Sequence, residues 1–137
     1  MGRAFIPQST GCILFQMMGL YTLGLGCYRI LLRLAALFVG NAVTCGAFLT
    51  GYNPRGTVQS DEANDQAHAQ LAAKLQKLGL QAIEGSGSEE GTEWPAEKSY
   101  FALGLALEPA KAIGTHFDQD AIVWVGPDAV PQLILLR

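Results

Sequence analysis

The first sixty residues contain no aspartate, no glutamate, no lysine and no histidine; their only charges are Arg3, Arg29, Arg33 and Arg55. From Asp61 onward twelve acids stand against five bases, which brings the 137-residue chain to a net charge of -3. No basic stripe runs through either part, so a nucleic-acid partner is not expected. The three cysteines, Cys12, Cys27 and Cys45, fit no metal-ligand spacing, and an odd number excludes a closed disulfide framework. They read as buried or incidental thiols. There is no phosphate loop, dinucleotide fingerprint, zinc motif or nucleophile elbow. Gly24-Leu25-Gly26 and Gly85-Ser86-Gly87 lack a following lysine and the strand-turn-helix setting that such loops need. No cofactor and no metal is therefore expected.

The same absence of charge shapes the N-terminal part. Residues 11–28 and 34–52 are uncharged, with Arg29 and Arg33 close to the break between them. Runs of about 18 residues approach the length of a membrane span, and the arginines would suit a positive-inside anchor. Gly11, Gln16, Gly19, Thr22, Gly24 and Gly26 interrupt the first run, however, and the second ends in Thr44–Thr50, which reads as a short buried strand. Residues 1–43 thus form an atypical apolar segment. It has three readings: a membrane segment within residues 11–50, a stretch translated out of frame from a GC-rich gene, or ordinary core. The membrane reading is not the favoured one, and a cytoplasmic protein is expected.

From residue 44 to residue 137 the pattern is that of a single domain. Tyr52-Asn53-Pro54-Arg55-Gly56 is turn chemistry: asparagine bonds nearby backbone, proline fixes φ and glycine permits φ > 0. Ser60 is a good N-cap, and Asp61 and Glu62 complement the helix dipole. Ala63, Ala67, Leu71, Leu75 and Leu78 recur at helical spacing, which predicts a helix over 61–78 closed by Gly79. A short strand follows at 80–83, then a flexible acidic loop at 84–93, re-anchored by Trp94-Pro95. Ser99–Leu105 reads as a buried strand. Pro109 sits near the start of a second helix at 108–117, and strands at 121–125 and 132–136 flank a Gly126-Pro127-Asp128-Ala129 turn. The expectation is an α+β fold with two helices on one face of a small mixed sheet of four to five strands.

Chemistry-bearing residues are few. His68 falls beside or opposite the predicted apolar stripe and His116 near the end of the second helix, so both read as surface residues. Uncharged and acidic polar residues gather instead at element ends: Thr50 and Asn53 after the first strand, Asn64 one turn into the first helix, Glu97 and Ser99 at the central strand, and Gln119 before the last hairpin. Such groups can brace turns and satisfy strand ends. Alternatively Thr50, Asn53, Asn64, Glu97 and Gln119 converge on one sheet edge and bind a small polar ligand or a peptide end. In a third reading Glu97 is the general base of a small hydrolase or transferase, with Asn53 or Gln119 orienting the substrate.

Phe48-Leu49-Thr50-Gly51-Tyr52-Asn53-Pro54, Glu62-Ala63-Asn64, Trp94-Pro95-Ala96-Glu97-Lys98-Ser99 and Phe117-Asp118-Gln119-Asp120-Ala121-Ile122 occur in that order ahead of a terminal apolar hairpin. Over about residues 46–137 this resembles the bacterial domain-of-unknown-function 3293 family. That family carries a Thr-Ala-x-Asn-Pro turn, an early helical Asn, a Trp-x-x-Glu-x-Ser segment and a Phe-Gly-Gln-x-Ala strand start. Gly51 stands where the family has Ala, and Asp118 where it has Gly. Residues 1–43 do not resemble the tyrosine-bearing segment and strand pair that the family places before Thr50. The resemblance implies a domain and no established activity.

Overall fold

The computed structural model describes residues 27–87 and 97–137. Most of the first apolar run, the greater part of the acidic loop and the Trp94-Pro95 anchor lie outside the described residues. The elements are α1 (Cys27–Asn41), β1 (Gly46–Leu49), a 3-10 turn (Pro54–Gly56), α2 (Asp61–Lys77), β2 (Ala82–Gly87), β3 (Glu97–Leu103), α3 (Leu107–His116), β4 (Ala121–Val125) and β5 (Pro131–Leu135). The fold is α+β.

The five strands form one sheet in the order β2-β3-β1-β4-β5. Every pairing is antiparallel, so the expected mixed sheet gives way to a purely antiparallel one. β1 is the centre, paired with both β3 and β4, and all four of its residues are buried. A strand covered on both faces needs apolar or small residues throughout rather than alternation, which explains Gly-Ala-Phe-Leu. Gly46 is required by packing: a Cβ there would lie 2.6 Å from the Phe101 ring. Phe101 in turn packs on Phe48 with ring centroids 4.3 Å apart and stacks under Phe38 at 6.3 Å.

Helices cover both faces. Leu34, Leu37 and Phe38 of α1 bury against Phe48, Ile83, Phe101, Leu103, Val123 and Val125. On the opposite face Leu71 and Leu75 of α2 and Ala110 and Ile113 of α3 close over Ala47, Leu49, Ala102 and Ile122. The two expected helices do share one face; α1 adds a third layer. Its apolar residues occur all round, leaving Leu32 and Val39 exposed, so no polar stripe marked it as a surface helix. Among the described residues no helix is long and apolar enough to cross a membrane.

Local chemistry fixes the element ends. The Ser60 hydroxyl accepts from Ala63 N–H at 3.2 Å, Asp61 and Glu62 occupy the first turn of α2, and Gly79 closes it at φ 72°. Pro131 is tolerated because Leu136 N–H donates to Asp120. That register turns the odd residues of β5 away from β4, so a proline there removes no ladder bond.

Candidate functional site

The chain between β1 and α2 folds into a tight turn at one end of the sheet. Asn53 and Arg55 both adopt left-handed backbone, at φ 44° and 58°, and Gly56 follows at 67°. Asparagine and glycine tolerate this conformation, whereas an arginine in it is strained. The strain is held by a knot of side-chain amides. Asn53 N–H donates to Asn64 Oδ1 and Asn64 Nδ2 donates back to Asn53 Oδ1, both at 2.9 Å. Asn53 Oδ1 also accepts from Gln59 N–H at 3.0 Å, and Asn53 Nδ2 donates to Glu97 Oε1 at 2.9 Å.

The other sequence candidates meet the same turn. Thr50 Oγ1 donates to Lys98 O at 2.7 Å and accepts from Tyr52 N–H at 3.0 Å. Gln119 Nε2 reaches Tyr52 O at 3.1 Å and Phe117 O at 3.3 Å. All five residues therefore converge, with Asn53, Asn64 and Glu97 in direct contact and Thr50 and Gln119 bracing the flanking backbone. Gly51 is buried against α2: a Cβ there would stand 3.1 Å from Ala67 Cβ and 3.2 Å from its backbone. Asp118 sits at φ 54°, a conformation that suits glycine better. It also accepts from Arg55 N–H through its backbone oxygen at 2.9 Å.

A second cluster adjoins this knot on the α2 side. His68 is not a surface residue as its position beside the stripe had implied; it is buried, because the stripe that α2 turns inward is Asn64, His68, Leu71 and Leu75. The 4-3-4 spacing carries that signal, but Ala63, Ala67 and Leu78 had drawn the stripe elsewhere, and Leu78 is half exposed. The imidazole stacks flat on Tyr100, with ring centroids 4.3 Å apart and planes within 4°, and meets the Tyr52 ring edge-on. Its Nε2 lies 2.8 Å from Glu84 Oε2, which Tyr100 OH also approaches at 3.1 Å. A carboxylate is acceptor-only, so Nε2 donates in this bond, and Nδ1 is the ring's other nitrogen. That Nδ1 and the Ser99 hydroxyl are buried with no hydrogen-bond partner among the described residues. His116 is exposed.

Two carboxylates face solvent across this cluster. Asp65 accepts from Tyr52 OH at 2.7 Å and lies 3.6 Å from Lys98 Nζ; the phenol bond, with the lysine, holds its pKa below the ordinary value. The bond from His68 does the same for Glu84. The phenols respond in the opposite sense: burial first, then the neighbouring carboxylates, pushes Tyr52 and Tyr100 up to about 12. Proline-free β2 runs along this edge. Between it and the end of α2 opens a groove of about 430 Å3, lined by Ala72, Leu75, Gln76, Gly79, Leu80, Gln81, Ala82 and Tyr100. Among the described residues no group of three or more His, Cys, Asp or Glu side chains is placed to hold a metal ion.

No curated protein and no solved structure matches this chain. A family does: the one described as "Protein of unknown function (DUF3293)" matches residues 49–122, a span that begins at the end of β1, takes in the amide knot and ends in β4. That is more than half of the chain, and the protein belongs to the DUF3293 family.

Proposed function

We propose that the domain is a non-enzymatic binding or accessory module of the cytoplasm. Its recognition surface runs from the Asn53 turn past Asp65, Lys98 and Glu84 to the groove at Tyr100. The observation that carries this reading is the groove itself, open beside a strip of polar side chains that hold one another in place. Its apolar floor of Ala72, Leu75, Leu80 and Ala82 suits an aliphatic or aromatic body, and Gln76 and Gln81 suit a polar end. Side chains fixed by their neighbours lose little freedom when a ligand arrives, which favours binding.

The same bonds argue for recognition over proton transfer. A general base works best near neutral pKa, whereas Asp65 and Glu84 are held below the ordinary carboxylate range by their donors. His68 has one nitrogen on Glu84 and the other sealed from solvent. Glu97, the base of the enzymatic reading, takes the Asn53 amide.

A thermal-shift screen of the full chain against small amides, amines and blocked amino acids tests the proposal. A hit should raise the midpoint in wild type and lose its effect in Ala72→Arg, where a long side chain fills the groove from α2. Hits that survive Ala72→Arg, or none at millimolar concentration, would refute it.

A further inference from the structure

We infer that the ligand of this face is an extended peptide that adds as a sixth strand, antiparallel, to the free edge of β2, with a cationic and an aliphatic side chain two residues apart. The inference rests on the Tyr100 groove being a binding surface and specifies what fills it. The register of the sheet carries the first step. Leu103 N–H donates to Gln81 O, so Gln81, Ile83 and Gly85 turn their backbone groups toward β3. The N–H and C=O groups of Ala82 and Glu84 therefore point away from the sheet, since bonding direction alternates along a strand. Among the described residues no strand lies beyond β2. The two edges of the sheet differ. β5 carries Pro131 at an outward-facing position, where it offers no donor, a common guard against strand addition. β2 has no such guard.

Side-chain chemistry supplies the second step. Ala82 and Glu84 project to the α2 side, where Ala82 packs against the core cluster that α2 closes and lines the groove with Leu75, and Glu84 bonds His68. A strand paired antiparallel to β2 places the side chains opposite Ala82 and Glu84 on that same side, close to their partners. The one opposite Ala82 stands over the groove and suits valine, leucine or isoleucine. The one opposite Glu84 meets an exposed carboxylate kept ionised by His68 and Tyr100, with Asp65 on the neighbouring helix, and suits lysine or arginine. Lys98 is already drawn to Asp65. Read from the N-terminus, the complementary peptide is cationic residue, any residue, aliphatic residue.

The test leaves the protein unaltered. The 15N-labelled full chain is titrated with acetyl-Thr-Lys-Ser-Val-Thr-amide, with the same peptide N-methylated at valine, and with a Glu-for-Lys version. Strand addition predicts that the parent peptide slows amide exchange of Ala82 and Glu84 at least tenfold at saturation. N-methylation, which deletes one ladder bond, should weaken binding about tenfold, and charge reversal about fivefold. Equal binding of the N-methylated peptide, or unchanged exchange at Ala82 and Glu84, overturns the inference. If blocked single amino acids still shift Tyr100 and Gln76 in that case, the groove survives as a small-ligand site. If nothing shifts those residues, both readings fall together.

Discussion

Replacing Asn53 separates the two jobs its asparagine does. Asn53→Ala deletes the acceptor for Asn64 Nδ2 and for Gln59 N–H and the donor to Glu97. Asn64 is buried, and an orphaned buried amide costs about 1–3 kcal/mol. Alanine must also hold φ 44°, which costs about another 1 kcal/mol in left-handed backbone. The expected loss is roughly 2–4 kcal/mol, equivalent to about 10 °C in Tm for a domain of this size. Asn53→Gly deletes the same bonds but not the backbone tolerance. The glycine variant should therefore be the more stable of the two by about 1 kcal/mol, the reverse of the usual order, in which glycine is the poorer choice. Chemical denaturation of both variants beside wild type, with m-values compared to confirm a common unfolded state, gives the two differences. Alanine equal to or better than glycine, or both within about 0.5 kcal/mol of wild type, would show that the turn is not held by this knot.

The acid limb of stability should report Glu84 and Asp65. Both are lower in the folded state than in the unfolded chain, so they stabilise the fold above their ordinary values near pH 4 and lose that contribution as pH falls through the folded values. Denaturation across that range should show the wild-type advantage over Glu84→Gln shrinking with acid; a constant gap would contradict the His68–Glu84 bond. At high pH, carbon NMR should show Tyr52 and Tyr100 ionising near 12, with their stabilisation complete below the ordinary phenol value near 10 and lost through 12. Ionisation of either near 10 would contradict the carboxylate contacts. Gly46→Ala should destabilise by about 1–3 kcal/mol, since its Cβ would press on Phe101 and on the Ala102 carbonyl at 3.0 Å; thermal melts check it. An unchanged melting point would remove Phe101 from that position.

Much of the domain was legible because its punctuation is local. Ser60, the acidic first turn and Gly79 bounded α2 to within a residue, and apolar runs on either side of the Gly126–Ala129 turn placed β4 and β5. Thr50, Asn53, Asn64, Glu97 and Gln119 stand out in the sequence as polar residues at element ends, and the fold gathers those ends around the Asn53 turn at one end of the sheet. What escaped was long-range. α1 lacks a polar face, so its composition resembled a membrane run although Leu34, Leu37 and Phe38 cover a sheet built mostly from residues after 80. The antiparallel order follows from β1 inserting between β3 and β4, which no local signal encodes. His68 was misplaced because polar Asn64 and His68 lie on the buried stripe, where apolar periodicity does not look for them. Tyr52, Asp65, Glu84 and Tyr100 become a cluster only once β2 pairs with β3 under α2.

Whether the face between α2 and β2 binds ligands is decided by mapping amide shifts of the 15N-labelled full chain against a library of blocked amino acids and short peptides. A binding face gives saturable shifts concentrated at Leu75, Gln76, Gln81, Ala82 and Tyr100, abolished by Ala72→Arg while the Asn53 and Asn64 side-chain amides stay in place. Saturable shifts centred on another face, with this one silent, would contradict the proposal.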